Sequence, residues 1–216
     1  MKKAAIFDMD GTMFDTERIW KENWEKMIGE FGYESDPDFP KNVCGTSGEK
    51  MLNVIRKFYP GIDAEAYRTA VRNEVNKSIA NEVPVKEGLY EIVDYLKSQG
   101  VKLAIASSSQ LEKIKHCVKL AGLEGKFDML FSGNDIEHGK PAPDIFLKAA
   151  DAMGVDPTEC YVLEDGLNGV YAGIASGATT AMIIDLTEPD EKAREGCAGI
   201  YDSLLEVRDA MKAGEI

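Results

Sequence analysis

Near its start the chain reads KAAIFDMDGT over residues 3–12. Residues 3–7 form a short β-like run that predicts a strand, and Asp8 and Asp10 follow it. Because Asp10 comes two residues after Asp8, the two carboxylates point to the same side of an extended segment. Gly11 then allows the chain to turn sharply. Ligands bind outside the carboxyl ends of the strands in open parallel sheets, so this stretch predicts both a sheet and the edge that carries its chemistry.

Strand-like apolar runs and helical periods alternate along most of the remaining chain. Further strands are predicted over residues 101–106, 128–131, 160–163 and 178–184. Helices are predicted over residues 89–96, 170–176 and 203–212. Two further helices are predicted from their start signals, one opened by a capping box from Ser109 to Glu112 and one with Pro141 and Pro143 in its first turn. This alternation predicts a doubly wound α/β fold with a mostly parallel sheet. The acidic residues 185–195 are interpreted as a solvated loop.

Residues 16–83 break the alternation and are predicted to be helical throughout. One apolar stripe contains Trp20, Trp24, Met27 and Phe31, and residues 51–58 and 63–80 give further helical periods. A connection of this length is too long for a simple loop between strands. We therefore predict a helical cap domain, residues 16–83, inserted into an α/β core domain of residues 1–15 and 84–216. Two linkers joining two domains suggest a hinged lid.

Polar side chains follow four of the predicted strands. They are Asp8 and Asp10, then Ser107, Ser108 and Ser109, then Lys140, and last Glu164 and Asp165. At one edge of a sheet, Asp8, Glu164 and Asp165 would repel one another strongly if nothing screened them. A hard divalent cation resolves this repulsion, and Mg²⁺ suits carboxylates combined with waters and a substrate phosphate. The sequence therefore predicts a Mg²⁺ site.

The other polar residues at these strand ends predict phosphoryl chemistry. The Lys140 ammonium and the hydroxyl groups of Ser107 and Ser108 suit the oxygens of a phosphate, together with backbone N–H groups at the start of the next helix. Asp8 can attack phosphorus, since a carboxylate is a competent nucleophile toward a phosphoryl group. Asp10 can protonate the leaving oxygen and afterwards deprotonate water.

Over essentially its whole length, the chain resembles the haloacid dehalogenase-like phosphohydrolases. The resemblance is to the branch with a helical cap after the first strand, which includes the β-phosphoglucomutase-like proteins. The four family motifs match Asp8-Met9-Asp10-Gly11-Thr12, Ser107, Lys140, and Glu164-Asp165. The resemblance implies an aspartyl-phosphate intermediate on Asp8 and acid–base work by Asp10. It also implies phosphate contacts from Ser107 and Lys140, and Mg²⁺ held by Asp8, the Asp10 carbonyl and the acidic pair.

In the cap, the resemblance to the mutases of this branch is partial. This chain shares Thr16 and the turn Gly45-x-Ser47 with them, but it has Trp20 where they typically place a histidine on the first cap helix. Trp20 therefore matches a position that faces the substrate in the family, although its stripe is also typical of a helical core.

A second departure from the mutases concerns the position after the cap turn. The mutases typically place an arginine where this chain has Gly48, and a guanidinium suits a second phosphate, which glycine cannot hold. Lys50 or Lys41 could substitute, and the spacing leaves this open. We expect a phosphatase acting on a small phosphorylated metabolite, of the sugar or polyol phosphate class. A hexose-phosphate mutase using the same phospho-aspartate is the alternative, and a non-catalytic sugar-phosphate sensor is a third class.

The composition limits the expected partners. The chain has 216 residues and a formal net charge of −13, a sign that repels nucleic acid and anionic lipid, so neither partner is expected. No apolar run approaches the roughly 20 residues of a membrane span. Four widely spaced cysteines and no recognisable secretory signal predict reduced thiols in the cytoplasm, and two histidines make a zinc site a poor expectation. The sequence leaves the oligomeric state open, and a monomer is compatible with it.

Overall fold

The computed structural model describes residues 1–44, 46 and 48–216. The described strands are β1 (Ala4–Phe7), β2 (Lys102–Ser107), β3 (Met129–Ser132), β4 (Cys160–Glu164), β5 (Thr179–Ile183) and β6 (Gly199–Tyr201). The described α-helices are α1 (Thr16–Ile28), α2 (Phe39–Val43), α3 (Gly48–Phe58), α4 (Ala64–Ser78), α5 (Leu89–Ser98), α6 (Leu111–Leu120), α7 (Asp144–Ala152), α8 (Leu167–Ser176), α9 (Glu191–Gly196) and α10 (Leu204–Ala213).

The described strands form one parallel sheet in the order β3-β2-β1-β4-β5-β6. Strand β1 is central, and all four of its residues are buried. Successive residues of a strand point to opposite faces, so the burial of both Ile6 and Phe7 means that the sheet is covered on both sides. The prediction of a doubly wound α/β fold is therefore confirmed.

The helices α7 and α8 cover one face of the sheet. Ile6, Ala104 and Val162 form a buried apolar cluster with Phe146 of α7 and Ala172 of α8. Burying an isoleucine or phenylalanine side chain stabilises a fold by about 1.5–3 kcal/mol. This packing holds the central strands β1, β2 and β4 in fixed positions relative to one another, and with them the side chains at their carboxyl ends.

The strand order reverses beside β1. The chain runs from β1 outward through β2 to β3, and then returns to place β4 on the other side of β1. Phe7 and Leu163 are register partners, so the carboxyl ends of β1 and β4 lie side by side. The crevice at such a reversal is the usual ligand site of an open α/β sheet.

The described chain divides into two compact units, Met1–Phe14 with Pro84–Ile216 and Asp15–Val83. In the unit Asp15–Val83, helix α1 packs against α4, and α3 packs against α2 and α4. Its core is aromatic, because the ring of Trp24 lies 5.5 Å from that of Phe39 and 5.1 Å from that of Tyr67. The Tyr67 hydroxyl donates a 2.7 Å hydrogen bond to the carbonyl of Trp24.

Two elements correct the interpretation of the C-terminal part of the chain. Helix α9 begins within residues 185–195, which were expected to form a loop, and the side chain of Asp190 caps it by accepting from the N–H of Ala193. Strand β6 was not expected, and it adds three residues beside β5. Within the described ranges, no helix is both long and apolar enough to cross a membrane.

Two predicted helix starts are also wrong. Helix α6 begins after Gln110, which takes the N-cap position, so Ser109 lies one residue too early for a capping box with Glu112. The Ser109 hydroxyl donates to Asp10. Helix α7 begins at Asp144, with Pro143 at the N-cap position and Pro141 ahead of the helix, so neither proline lies in the first turn.

Candidate functional site

Three acidic side chains meet at the carboxyl ends of β1 and β4. Asp8 follows β1 and its N–H donates 2.9 Å to the carbonyl of Leu163, while Glu164 ends β4 and Asp165 follows it. One carboxylate oxygen from each of Asp8, Glu164 and Asp165 lies within 4.8 Å of the others, and all three residues are buried. The parallel register of the two strands thus brings together acids that are more than 150 positions apart in the chain.

Lys140 places its ammonium among these acids. Its Nζ donates to Asp8 Oδ1 at 2.5 Å, to Glu164 Oε1 at 2.6 Å and to the carbonyl of Ala106 at 3.1 Å. The Lys140 side chain is only 8% exposed. A buried ammonium is stable only when it is paired and hydrogen-bonded, and the three acceptors provide this.

The electrostatics of the cluster leave room for further positive charge. Burial raises the pKa of Asp8 to about 8, the Glu164 carboxylate adds to this, and Lys140 opposes it. Burial lowers the pKa of Lys140, but the carboxylates of Asp8 and Glu164 outweigh that effect and the pKa is raised. When all three carboxyl groups are ionised, the Lys140 ammonium balances only one of their charges. The donor set is entirely oxygen, so it fits a hard divalent cation.

The residues after Asp10 hold Asp165 in place. Thr12 Oγ1 donates a buried hydrogen bond of 2.8 Å to Asp165 Oδ1. Gly11 has a φ of +87°, and a Cβ at this position would lie 2.2 Å from Asp165 Oδ2. Gly11 therefore leaves room for the Asp165 side chain, and Thr12 binds it, so Asp165 can lie close to the end of β1.

Backbone groups and a glycine fix the carboxylate of Glu164. Its Oε2 accepts from the N–H of Asp165 at 3.0 Å and from the N–H of Gly166 at 3.1 Å. A Cβ on Gly169 would lie 1.7 Å from Glu164 Oε1. Helix α8 can therefore approach Glu164 this closely only because residue 169 has no side chain.

Gly169→Ala should lower the free energy of unfolding by about 2–4 kcal/mol, because the methyl group would push the Glu164 carboxylate off Lys140 and the two N–H groups. The measurement is chemical denaturation of the metal-free protein. Ala175→Ser, on the exposed side of the same helix, is the matched control and should change stability by less than about 0.5 kcal/mol. An unchanged stability of Gly169→Ala would contradict the close approach.

Asp10 contacts two residues that the sequence analysis did not assign to the site. Ser109 Oγ donates to Asp10 Oδ2 at 2.6 Å, and Lys113 Nζ donates to Asp10 Oδ1 at 2.8 Å. Lys113 lies four residues after Ser109 and also contacts its hydroxyl, at 3.3 Å. The four-residue spacing from Ser109 to Lys113 was the available signal, but Ser109 precedes helix α6, and the spacing does not show that both residues face Asp10.

The two predicted phosphate-binding serines lie at the end of β2. Ser107 is buried, and its Oγ accepts from the N–H of Ser109 at 3.0 Å. Ser108 is exposed, and a Cβ on Gly133 would lie 3.0 Å from the Ser108 Cα. Because β2 is the direct neighbour of β1, these serines and Asp8 lie on adjacent strand ends.

The predicted cap residues belong to the unit Asp15–Val83. Thr16 is buried at the start of α1, and Trp20 is half-buried with its ring 5.6 Å from that of Trp24. Lys50 is exposed on α3. The predicted cap-turn residues Gly45 and Ser47 lie outside the described residues.

Comparison with known proteins finds hydrolases of one family and proteins named as phosphatases. The sequence profile of the haloacid dehalogenase-like hydrolases matches residues 5–183. Hexitol phosphatase B of Escherichia coli is 30% identical over 188 residues, 83% of this chain and 82% of that protein. A fructose-1-phosphate phosphatase of Escherichia coli is 29% identical over 81% of this chain and 92% of its own. A hydrolase of the same family from Deinococcus radiodurans, solved with bound phosphate and sodium, has a TM-score of 0.80 and 27% identity over 100% of this chain and 97% of its own.

Proposed function

This chain belongs to the haloacid dehalogenase-like hydrolase family, and we propose that it is a Mg²⁺-dependent phosphatase of small phosphorylated metabolites, in the sugar or polyol phosphate class. The observation that carries the proposal is the pairing of Asp8 with Lys140 beside two further buried acids. Two relatives of the chain are named as phosphatases of a hexitol and of fructose 1-phosphate, which supports the substrate class.

In the first step of the proposed reaction, Asp8 is the nucleophile. A carboxylate oxygen of Asp8 forms a bond to phosphorus while the bond from phosphorus to the leaving oxygen breaks. Asp10 gives its proton to that leaving oxygen, so the alcohol departs neutral. The Lys140 ammonium, which touches Asp8, and the Ser107 hydroxyl are proposed to bind the phosphoryl oxygens and to stabilise the charge that builds on them.

In the second step, water attacks the phosphorus of the aspartyl phosphate. Asp10, now a carboxylate, takes a proton from this water, and the bond from phosphorus to Asp8 breaks. The step regenerates the Asp8 carboxylate and releases inorganic phosphate. Because the same side chain donates in one step and accepts in the other, Asp10 returns to its starting form after each turnover.

We propose that Asp8 and Asp165, with Glu164 and the Asp10 carbonyl, would hold Mg²⁺. The buried oxygen cluster and its excess of negative charge support this assignment. When bound, the ion would neutralise charge on the phosphoryl oxygens as they approach Asp8.

We propose that the helical unit, residues 16–83 in the predicted division, acts as the cap that selects the substrate, with residues 1–15 and 84–216 as the catalytic core. Its insertion directly after the catalytic strand supports this role. Thr16, Trp20 and Lys50 are the cap residues proposed to contact the non-reacting part of the substrate, together with Gly45 and Ser47 of the turn.

Four cysteines without disulfides suit the proposed cytoplasmic location.

The alternative function is a hexose-phosphate mutase, which shares the core machinery. A mutase must hold a second phosphate, and Gly48 is exposed at the start of α3 and carries no side chain where the mutases have an arginine. This observation favours hydrolysis. The intact set of Asp8, Asp10 and the acidic pair argues against a sensor without activity.

The test is a screen of phosphorylated sugars and polyols for released phosphate, with glucose 6-phosphate followed in parallel. With β-glucose 1-phosphate and a bisphosphate primer, we expect phosphate and no glucose 6-phosphate. Rapid formation of glucose 6-phosphate would establish the mutase instead. A protein that binds these compounds without converting any of them would support the sensor.

A further inference from the structure

Both carboxylate oxygens of Asp10 are held by groups of the core unit. Ser109 Oγ lies 2.6 Å from Oδ2, and Lys113 Nζ lies 2.8 Å from Oδ1. The side chains are largely withdrawn from solvent, with 19% of Lys113 and 17% of Asp10 exposed. A pair with this burial is screened less than a surface ion pair, so Lys113 attracts the Asp10 carboxylate more strongly than an exposed lysine would.

The two contacts differ in kind. The contact with Lys113 joins an ammonium to a carboxylate, whereas the contact with Ser109 comes from a neutral hydroxyl, and charge-assisted hydrogen bonds are roughly twice as strong as neutral ones. In the proposed reaction Asp10 must present one oxygen to the leaving group. The oxygen at the hydroxyl is the one more easily released, while Lys113 keeps hold of the other.

We propose that Lys113 is a positioning residue that orients Asp10 for proton transfer to the leaving oxygen. The inference rests on the proposed phosphatase function and extends it to helix α6. A general acid must lie within hydrogen-bond reach of the atom it protonates, and a side chain that is already oriented loses less freedom on reaching that position. Lys113 itself does not touch the reacting atoms in this proposal.

The position of Lys113 on its helix supplies a matched control. Lys115 lies two residues further along α6, is exposed, and pairs with Glu112 at 2.9 Å. Substitution of either lysine by methionine removes one charge from the same helix. Lys113→Arg keeps the charge and the reach, so it separates orientation of Asp10 from a general effect of substitution.

The experiment compares kcat/KM for an alkyl phosphate, whose leaving oxygen needs a proton, with kcat/KM for p-nitrophenyl phosphate, whose leaving group departs as an anion. For each substrate, kcat/KM reports on the steps up to formation of the aspartyl phosphate, and these are the steps in which the two leaving groups differ. For Lys113→Met we expect kcat/KM to fall about tenfold or more on the alkyl phosphate and less than about threefold on the aryl phosphate. Lys113→Arg should recover most of the loss, and Lys115→Met should match the wild type. Asp10→Asn should show the same contrast between substrates with a larger loss.

Equal losses on both substrates would overturn the inference, because they would indicate only a structural role. A rise in kcat/KM for Lys113→Met would also overturn it, since Lys113 would then restrain Asp10 in an inactive orientation. An increase in KM alone for both substrates would instead make Lys113 a phosphate ligand. If the wild type, with Mg²⁺, releases phosphate from neither substrate, the proposed function fails, and this result is distinct from those above.

Discussion

Asp8→Asn should lower kcat for phosphate release by on the order of 10⁴-fold or more, because an amide cannot serve as the nucleophile that the mechanism requires. The substitution keeps the size of the side chain and removes only its charge and its attacking oxygen. A second measurement tests the same point directly. Acid quenching of the wild type with radiolabelled substrate should trap phosphate on the protein, and Asp8→Asn should trap none.

The loss in Asp8→Asn should not result from unfolding. Asparagine removes the cost of burying the Asp8 charge but weakens the pairing with Lys140, whose ammonium keeps Glu164 Oε1 and a backbone carbonyl as acceptors. The free energy of unfolding should therefore fall by less than the roughly 3–5 kcal/mol that a fully broken buried pair costs, which chemical denaturation measures. Asp151→Asn, an exposed change at the far end of α7, is the matched control and should retain full activity. Undiminished turnover by Asp8→Asn would exclude the nucleophilic role.

The α/β core could be predicted from sequence because its signals are local. Each of β1 to β5 overlaps a predicted strand. Strands β1, β2, β4 and β5 lie inside the sheet and are apolar runs that are almost entirely buried, whereas β3 lies at its edge and is only partly buried. The acids at the ends of β1 and β4 follow from the same logic. Once the sheet is parallel, residues that directly follow neighbouring strands must lie close together.

The elements that were missed lack such signals. Strand β6 has three residues, none of them fully buried, and among the described strands only β5 pairs with it. Helix α9 has six residues and buries only Ala193, so no apolar period marks it in a strongly charged segment. Both elements are instead defined by tertiary contacts, β6 by its pairing with β5 and α9 by the packing of Ala193 against Val170 and Met182.

The role of Ser109 shows a different limit. Its spacing to Glu112 is typical of a capping box, but its hydroxyl donates to Asp10, which is 99 residues away in sequence. The helix starts one residue later than this spacing predicts, and the hydroxyl contacts a carboxylate that the local spacing does not reveal. The contact between Lys113 and Asp10 was missed for the same reason. Sequence spacing describes neighbours on one helix and contains no information on which strand end faces it.

Removal of metal by EDTA should abolish phosphate release, and Mg²⁺ should restore it. Asp8, Glu164 and Asp165 bring three carboxylates within 4.8 Å, and the Lys140 ammonium balances only part of their charge. A metal ion at a phosphoryl site contributes several kcal/mol of transition-state stabilisation, so the loss should exceed about 10³-fold. Full activity in chelator would remove the metal from the mechanism.

The affinity for Mg²⁺ should fall as the pH is lowered below 8, because the buried environment of Asp8 favours its protonated form. Burial raises the pKa of Asp8 to about 8, and a metal ligand must be deprotonated. Below pH 8 a proton therefore competes with Mg²⁺, and the half-saturating Mg²⁺ concentration should rise by up to about tenfold for each pH unit lost, reaching a plateau above pH 8. Calorimetric titration at several pH values, in buffers of different ionisation enthalpy, measures both the affinity and the protons released.

The titration of Asp8 should also appear in the pH dependence of the free energy of unfolding of the metal-free protein. Because the pKa of Asp8 is higher in the folded chain than the ordinary value of 3.8, folding favours the protonated form. The contribution of Asp8 to stability is then fully present at low pH and is lost as the pH rises toward 8. Saturating Mg²⁺ should offset that loss, so the stabilisation by Mg²⁺ should be larger at pH 8 than at pH 6. The same affinity and the same stabilisation at both values would mean that Asp8 is already ionised throughout this range, with Lys140 alone sufficient to keep its charge in the buried site.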